Sequence, residues 1–326
     1  MKNDATIHIG VIGVGHLGNF HLKQFSKISE ISLCGLYDIN EIRAKEMSEL
    51  YNIPYFTNLQ KLLKKSDAVS IVTPTFSHYE VAEKALNEDC HIFIEKPITD
   101  DLYHASKLLK KANNNNKIIQ VGHIEQFNPA FIALKKIKNY PRFIESHRLA
   151  PFNIRGNDVP VILDLMIHDI DIILSIIKSK IINIRANGVR VTSDTIDIAN
   201  SRIEFENGCI ANLTASRISQ KEMRKMRLFE KKSYITLDFM KETLEEYKVC
   251  SKKPIDSSNN QIIEIGNEQK KYVLYNKPSI KKHNALKEEL KHFVHSIKSS
   301  TIPITNGNNA INALRVALKI QSIIDK

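Results

Sequence analysis

The chain has 326 residues, enough for two domains with sizeable cores. Hydrophobic residues make up 42% and charged residues 25%, which excludes a disordered or fibrous chain, and no apolar run approaches the length of a membrane span. Lys and Arg number 47 against 36 Asp and Glu, a formal charge of +11; the basic residues are scattered and not interleaved with aromatics, which argues against a nucleic-acid face and leaves a solvated surface or a cleft for an anion such as a nucleotide.

Ile7–Ile12 is a compact apolar run, followed by Gly13-Val14-Gly15-His16-Leu17-Gly18 and a helical pattern to Phe25. Strand, glycine turn and helix in that order form the dinucleotide fingerprint: the first glycine permits the turn, the second lets backbone approach a pyrophosphate, the third lets helix pack on strand, and the helix N-terminus faces the phosphates. A second apolar run, Ile31–Tyr37, ends at Asp38, 20 residues past Gly18, where a carboxylate meets ribose hydroxyls and repels a 2′-phosphate. NAD is therefore expected over NADP; the competing role for Asp38 is to cap the helix that follows, over 39–51. Arg43 lies too far along to count as a 2′-phosphate ligand.

Helices over 58–65, 77–87 and 101–112 alternate with strands over 68–72, 91–95 and 118–122, with a turn at Thr73-Pro74-Thr75. This alternation predicts a doubly wound parallel sheet, and the ligand of such a sheet lies beyond the carboxyl ends of its strands. Thr73, Glu95–Lys96 and Gly122–His123 all fall at such ends. A lysine beside Pro97 at that edge is either a solvated strand end or an ammonium whose surroundings depress its proton affinity, fit to hydrogen-bond a reacting hydroxyl.

After residue 123 the pattern changes. A helix over 128–137, a strand over 142–149 and a long apolar helix over 161–178 precede short strands over 182–190, 196–205, 209–216, 223–229, 233–238 and 243–249. Asn207-Gly208 marks a hairpin. The segment 251–266 reads as a polar loop, strand-like at 262–265, and helices over 285–298 and 309–324 end the chain. The expected organisation is a Rossmann domain over 1–123 and an α+β domain over 124–326 built on a mostly antiparallel sheet. Cys34, Cys90, Cys209 and Cys250 form no CxxC and read as free thiols of a reducing compartment; residues 6–14 are too short and too early for a signal peptide, so a cytoplasmic protein is expected.

Asp164 and His168 stand four apart on the apolar helix over 161–178 and share a face. Three roles are open to them: capping or bonding a neighbouring turn, half of a metal site, or an acid/base histidine oriented by a carboxylate. No third ligand stands at a recognisable spacing, so no metal is expected. Asp169 and Asp171 read as structural.

GVGHLG (13–18), VTPTFSH (72–78), EKP (95–97), VGHIEQFNP (121–129) and DLMIH (164–168), in that order, resemble the Gfo/Idh/MocA oxidoreductase family over nearly the whole chain. The resemblance implies a Rossmann domain followed by an α+β domain whose open sheet mediates a homodimer or homotetramer. It also implies NAD(P) held by Gly13, Gly15, His16, Leu17, Gly18, Asp38, Thr73, Pro74, His78, Glu95 and Lys96, with redox chemistry at a sugar or cyclitol hydroxyl. On matching positions, Lys96 lies near nicotinamide ribose and substrate, His168 is the acid/base and Asp164 its partner, and His123 and Asn128 reach the substrate. The string over 145–171, with CIANLTASR (209–217), is similar to a bacterial group within the family that oxidises C3 of UDP-N-acetylglucosamine toward a diamino-sugar lipid A. A sugar diphosphate needs cations, and Arg148 and Arg155 flank the Asp/His helix; surface or interface pairing is the other reading for both. Alternatives are a family dehydrogenase for a free sugar, an inositol or a UDP-sugar acid, and an NAD-bound sensor without turnover. Two departures touch the pocket: the family's Gly-Gly run before its Asp is replaced by residues 159–163 (VPVIL), and the Arg of RFNP is Gln126.

Overall fold

The computed structural model describes residues 6–152, 159–253, 260–265 and 271–326. The chain forms two compact units: residues 1–124 with 284–315, and residues 125–283 with 316–326. From the sequence, everything after 123 was expected in the second unit; residues 284–315 instead pack with the first.

The first unit is built on a five-stranded parallel sheet in the order β2-β1-β3-β4-β5, from β1 Ile7–Ile12, β2 Ile31–Tyr37, β3 Ala68–Ile71, β4 His91–Ile94 and β5 Ile119–Val121. Its central strands are nearly continuous apolar runs because helices cover both faces. His8 is the exception in β1: it is exposed, and its backbone N–H and Nδ1 both meet the Asp67 carboxylate, at 2.8 and 3.0 Å. The helices are α1 His16–Phe25, α2 Glu41–Tyr51, α3 Leu59–Leu63, α4 His78–Asn87 and α5 Leu102–Asn114. Asn40, Asn58 and Asp101 cap α2, α3 and α5 by accepting a backbone N–H three residues on. Helix α8, Ala285–Ser299, completes the core: Leu290, Phe293 and Val294 pack with Val11, Phe25 and Phe93.

The second unit carries a nine-stranded sheet in the order β13-β14-β12-β11-β10-β6-β9-β8-β7. Its strands are β6 Phe143–Leu149, β7 Ile181–Val189, β8 Ile198–Phe205, β9 Ile210–Ser216, β10 Met223–Phe229, β11 Ser233–Asp238, β12 Thr243–Cys250, β13 Asn260–Ile265 and β14 Lys271–Asn276. Pairing is antiparallel except between β6 and β9, which run parallel. Gly208, at φ +82°, closes the β8–β9 hairpin. Strand alternation puts Ile144, Leu213, Leu228 and Ile203 on a buried face. The long apolar helix is not uniformly α: a π-helical turn, Ile162–Met166, runs into α7, Ile167–Ile176. The remaining helices are α6 Pro129–Lys135, capped by Asn128, and α9 Gly307–Ile324. Among the described residues no helix is long and apolar enough to cross a membrane.

Candidate active site

The glycine turn is set by sterics. Gly13 has φ +83°, and a Cβ there would lie 2.7 Å from the Val72 carbonyl oxygen; a Cβ on Gly18 would lie 2.0 Å from the Gly13 oxygen. Gly15 differs, since a Cβ there would meet nothing within 4 Å. Open space over the second glycine is what a pyrophosphate needs to approach backbone. Gly15 is the N-cap of α1, with no side-chain cap and no acidic residue in the first turn, so the positive end of the helix is left for an anion. His16, Leu17 and Phe20 are exposed along that turn, with the His16 and Phe20 rings edge to face at 5.0 Å.

Asp38 does not cap α2; Asn40 does. One Asp38 oxygen accepts the Val14 N–H at 2.7 Å and the other the Asn40 N–H at 2.9 Å, which fixes the carboxylate beside the glycine turn. Arg43 folds back to the same turn, donating from Nε to the Val14 carbonyl at 3.0 Å and from Nη1 to Glu46 at 3.1 Å. These residues fit a dinucleotide: a Gly-lined opening, an uncapped helix N-terminus and an anchored carboxylate.

The segments after β3, β4 and β5 come together as their order in the sheet dictates. Glu95 N–H donates to the Ile71 carbonyl at 3.0 Å and Gly122 N–H to the Ile94 carbonyl at 2.8 Å. His78 is buried, and its ring nitrogens lie 2.9 Å from the Thr73 carbonyl and 2.8 Å from the Pro97 carbonyl, tying the end of β3 to the Lys96–Pro97 segment. Burial pushes the His78 ring toward its neutral form, against those two carbonyls. Ser77 Oγ donates to Thr73 Oγ1 at 2.8 Å, and Pro74 N-caps the short turn 75–77 that leads into α4. The Lys96–Pro97 peptide is cis. His123 follows β5 and is buried.

The sequence reading missed His21. It is fully buried on α1, three residues past Gly18, with Nδ1 at 2.9 Å from Ser70 Oγ and Nε2 at 3.0 Å from Glu95 Oε1. Glu95, expected on the cofactor, thus turns at least one oxygen inward. A histidine within an otherwise ordinary helical pattern was the signal available.

In the second unit, Asp164 lies in the π turn and His168 is the second residue of α7. Pro160 begins this stretch: its carbonyl accepts the N–H groups of Leu163 and Asp164 at 2.9 and 3.0 Å, and Ile167 N–H reaches back five residues to Ile162. Such wide turns recur at functional sites. Arg217, buried, anchors the approach by donating to the carbonyls of Val159 and Ile196, at 2.5 and 3.1 Å. Arg217 itself stands beside Asp197, whose carboxyl is held far below its usual range: burial opposes this, but three backbone N–H groups and two hydroxyls outweigh it.

Arg148 departs from the expectation that it faces a diphosphate. Its side chain is 3% exposed and forks onto Asp169 at 2.9 and 3.1 Å while reaching Glu125 at 2.8 Å. Burial disfavours the charge, and the two carboxylates more than offset it, raising the guanidinium's proton affinity. Asn128 joins this cluster through Glu125 and the Phe239 carbonyl, at 3.1 and 3.0 Å, so its amide is engaged in structure rather than turned to a ligand. Gln126, in place of the family arginine, donates to buried Asp171 at 2.6 Å. Arg155 lies outside the described residues.

Residues 7–123 match the oxidoreductase family with an NAD-binding Rossmann fold, and residues 147–235 match the GFO/IDH/MocA C-terminal domain. The chain is 41% identical over 239 residues to the UDP-N-acetylglucosamine 3-dehydrogenase of Acidithiobacillus ferrooxidans, covering 73% of this chain and 76% of that one. A solved structure of the Acidithiobacillus ferrooxidans enzyme superposes with a TM-score of 0.88 over 98% of both chains at 34% identity. The scyllo-inositol 2-dehydrogenase (NAD(+)) of Bacillus subtilis is 27% identical over 65% of this chain and 68% of its own.

Proposed function

We start from a chain that belongs to the Gfo/Idh/MocA family of NAD-binding oxidoreductases, and we propose that it oxidises a secondary hydroxyl of a sugar nucleotide, C3 of UDP-N-acetylglucosamine, to the ketone. The observation that carries this reading is the convergence of Thr73, Glu95–Lys96 and Gly122–His123 at one edge of a parallel sheet whose first turn fits a dinucleotide. Identity of 41% to an enzyme named for this reaction supports the substrate.

Gly13, Gly15 and Gly18 with the α1 N-terminus would hold the diphosphate of NAD, and Asp38 the ribose hydroxyls, since each carboxylate oxygen keeps lone pairs beyond its backbone bond. Arg43 spends donors on Val14 and Glu46, and the Asp38 charge disfavours a 2′-phosphate. Bound NAD supplies the hydride acceptor. In this reading His168 takes the hydroxyl proton, Lys96 donates a hydrogen bond to the same oxygen, and Asp164 orients the histidine. Four free cysteines and the absence of a spanning helix among the described residues support a cytoplasmic enzyme. The outer face of the nine-stranded sheet supports assembly into a homodimer or homotetramer.

Steady-state rates with NAD and NADP, on UDP-N-acetylglucosamine, UDP-glucuronate, free N-acetylglucosamine and myo-inositol, test the reading. The highest kcat/KM is expected for UDP-N-acetylglucosamine with NAD. A higher value for inositol or a free sugar overturns the substrate.

A further inference from the structure

Three motifs of the first unit meet at one largely enclosed carboxylate. Glu95 directly precedes Lys96, its side chain is 13% exposed, and Lys96 N–H approaches its Oε2 at 3.3 Å. A Cβ on Gly122 would lie 2.7 Å from Oε2, so the Glu95 carboxylate occupies the space a side chain after β5 would fill, and any larger residue there would have to displace it. On its other side Glu95 meets His21 Nε2 at 3.0 Å, and His21 Nδ1 meets Ser70 Oγ at 2.9 Å. The imidazole meets the Phe93 ring edge to face at 5.4 Å between centroids, with the Phe25 ring tilted beside it at 6.4 Å.

The tautomer follows from what each partner can give. A carboxylate accepts only, so Nε2 carries a hydrogen toward Glu95, and Nδ1 is then free to accept the Ser70 hydroxyl proton. Burial alone would drive Glu95 toward its protonated form, yet the His21 hydrogen bond and the nearby Lys96 charge hold it below the usual carboxylate range. The titratable groups acting on Glu95 are His21 on α1 and Lys96 beside it; His78, at the start of α4, feels its charge in turn.

We propose that His21 is a positioning residue that acts through Glu95: the Ser70–His21–Glu95 chain keeps the carboxylate lodged between Gly122 and the Lys96 backbone N–H, and so holds Lys96 in place for the reacting hydroxyl. The proposal rests on the reading of Lys96 as the residue that touches substrate. It explains why a histidine sits inside the first helix of the nucleotide-binding unit, why an acid precedes the lysine and why a glycine follows β5.

The test reads Lys96 directly as well as through catalysis. The full-length protein and its Glu95→Gln, His21→Phe and His21→Gln variants are pulse-labelled with acetic anhydride at pH 8, and acylation of Lys96 is quantified by mass spectrometry against distant lysines. Glu95→Gln keeps the shape and removes the charge; Lys96 acylation should rise about tenfold, the effect expected when an ammonium loses a nearby carboxylate. His21→Phe keeps the aromatic packing and removes the donor; it should raise labelling in the same direction, and His21→Gln, which restores an N–H, should bring it back toward wild type. In parallel kcat should fall at least tenfold in Glu95→Gln and His21→Phe, with the NAD Kd within about threefold. Lys96 labelling unchanged in Glu95→Gln and His21→Phe, with only the melting temperature lowered, overturns the proposal and leaves His21 a packing residue. Should Lys96→Met retain turnover, the catalytic reading of Lys96 falls, while the labelling result still decides whether His21 and Glu95 govern the amine.

Discussion

At the residue scale, the two sides of the Asp38 carboxylate do separate work. In the proposed function its charge selects against a 2′-phosphate, and its oxygens hold the Val14 and Asn40 N–H groups. Asp38→Asn removes the charge and keeps an acceptor; Asp38→Ala removes both. The asparagine variant should bind NAD about tenfold more weakly, lose most of its preference over NADP and melt near wild type. The alanine variant should also melt lower, because a charged acceptor for two backbone donors is gone, a loss of about 1.5–3 kcal/mol per bond at most. Cofactor titration by fluorescence and thermal melts separate the two. For the chemistry, Lys96→Met and His168→Asn should each cut kcat by about 10²–10⁴-fold while the NAD Kd stays within a few-fold. Single-turnover NADH formation measures this, and near-normal rates in either variant remove that residue from the mechanism.

At the element scale, Arg148 joins β6 to α7 and to the turn that holds Glu125. Cutting it to methionine strands two buried carboxylates, so Arg148→Met should cost about 3–5 kcal/mol in urea unfolding. If Arg148 were chiefly a diphosphate ligand, stability would hold and only the substrate KM would rise. Its burial was legible: β6 alternates, and Arg148 stands in phase with Ile144 and Ser146, all on the inward face. The spacing of apolar runs likewise found β1, β2, β10 and β11 at their observed ends. It could not find what depends on distant chain. Strand β14 is six residues behind a polar stretch, and its pairing with β12 and β13 gives it away only in three dimensions. The parallel β6–β9 pair joins segments more than 60 residues apart. Helix α8 has the ordinary stripe of an amphipathic helix, and nothing in Leu290, Phe293 or Val294 says that the stripe returns to cover β1 and β4. The π turn is invisible for another reason: apolar periodicity cannot tell a four-residue from a five-residue hydrogen bond over one turn.

At the scale of the whole molecule, two features are open to test: a histidine held neutral and a row of aromatic rings on the large sheet. His91 is held neutral, pushed down to about 4 by burial and, less, by Lys117, and its Nδ1 accepts the Ile118 N–H at 3.0 Å. Its folded value lies below the unfolded one near 6.5, so the unfolded chain binds the extra proton between those values. The stabilisation is therefore complete above about pH 6.5 and drains as pH falls toward 4, by about 2 kcal/mol after discounting for partial exposure. Urea midpoints at pH 7 and pH 5 should differ less in His91→Gln than in wild type. The second feature lies on the outward face of the large sheet. Phe143, Phe229, Tyr234, Tyr247 and Tyr275 stand opposite one another on β6, β10, β11, β12 and β14, with successive ring centroids 5.5, 4.9, 5.3 and 4.9 Å apart. Cross-strand stacking stabilises the sheet itself, but a row of five partly exposed rings across five strands is also the kind of surface that a second copy covers in a symmetric, face-to-face contact. Light scattering after gel filtration should give two or four times 37.2 kDa. Tyr234→Lys with Tyr247→Lys puts two like charges on neighbouring strands of that row; it should shift the mass to 37.2 kDa while the melting transition stays cooperative. A variant that keeps the wild-type mass places the subunit contact elsewhere and leaves the aromatic row to the sheet alone.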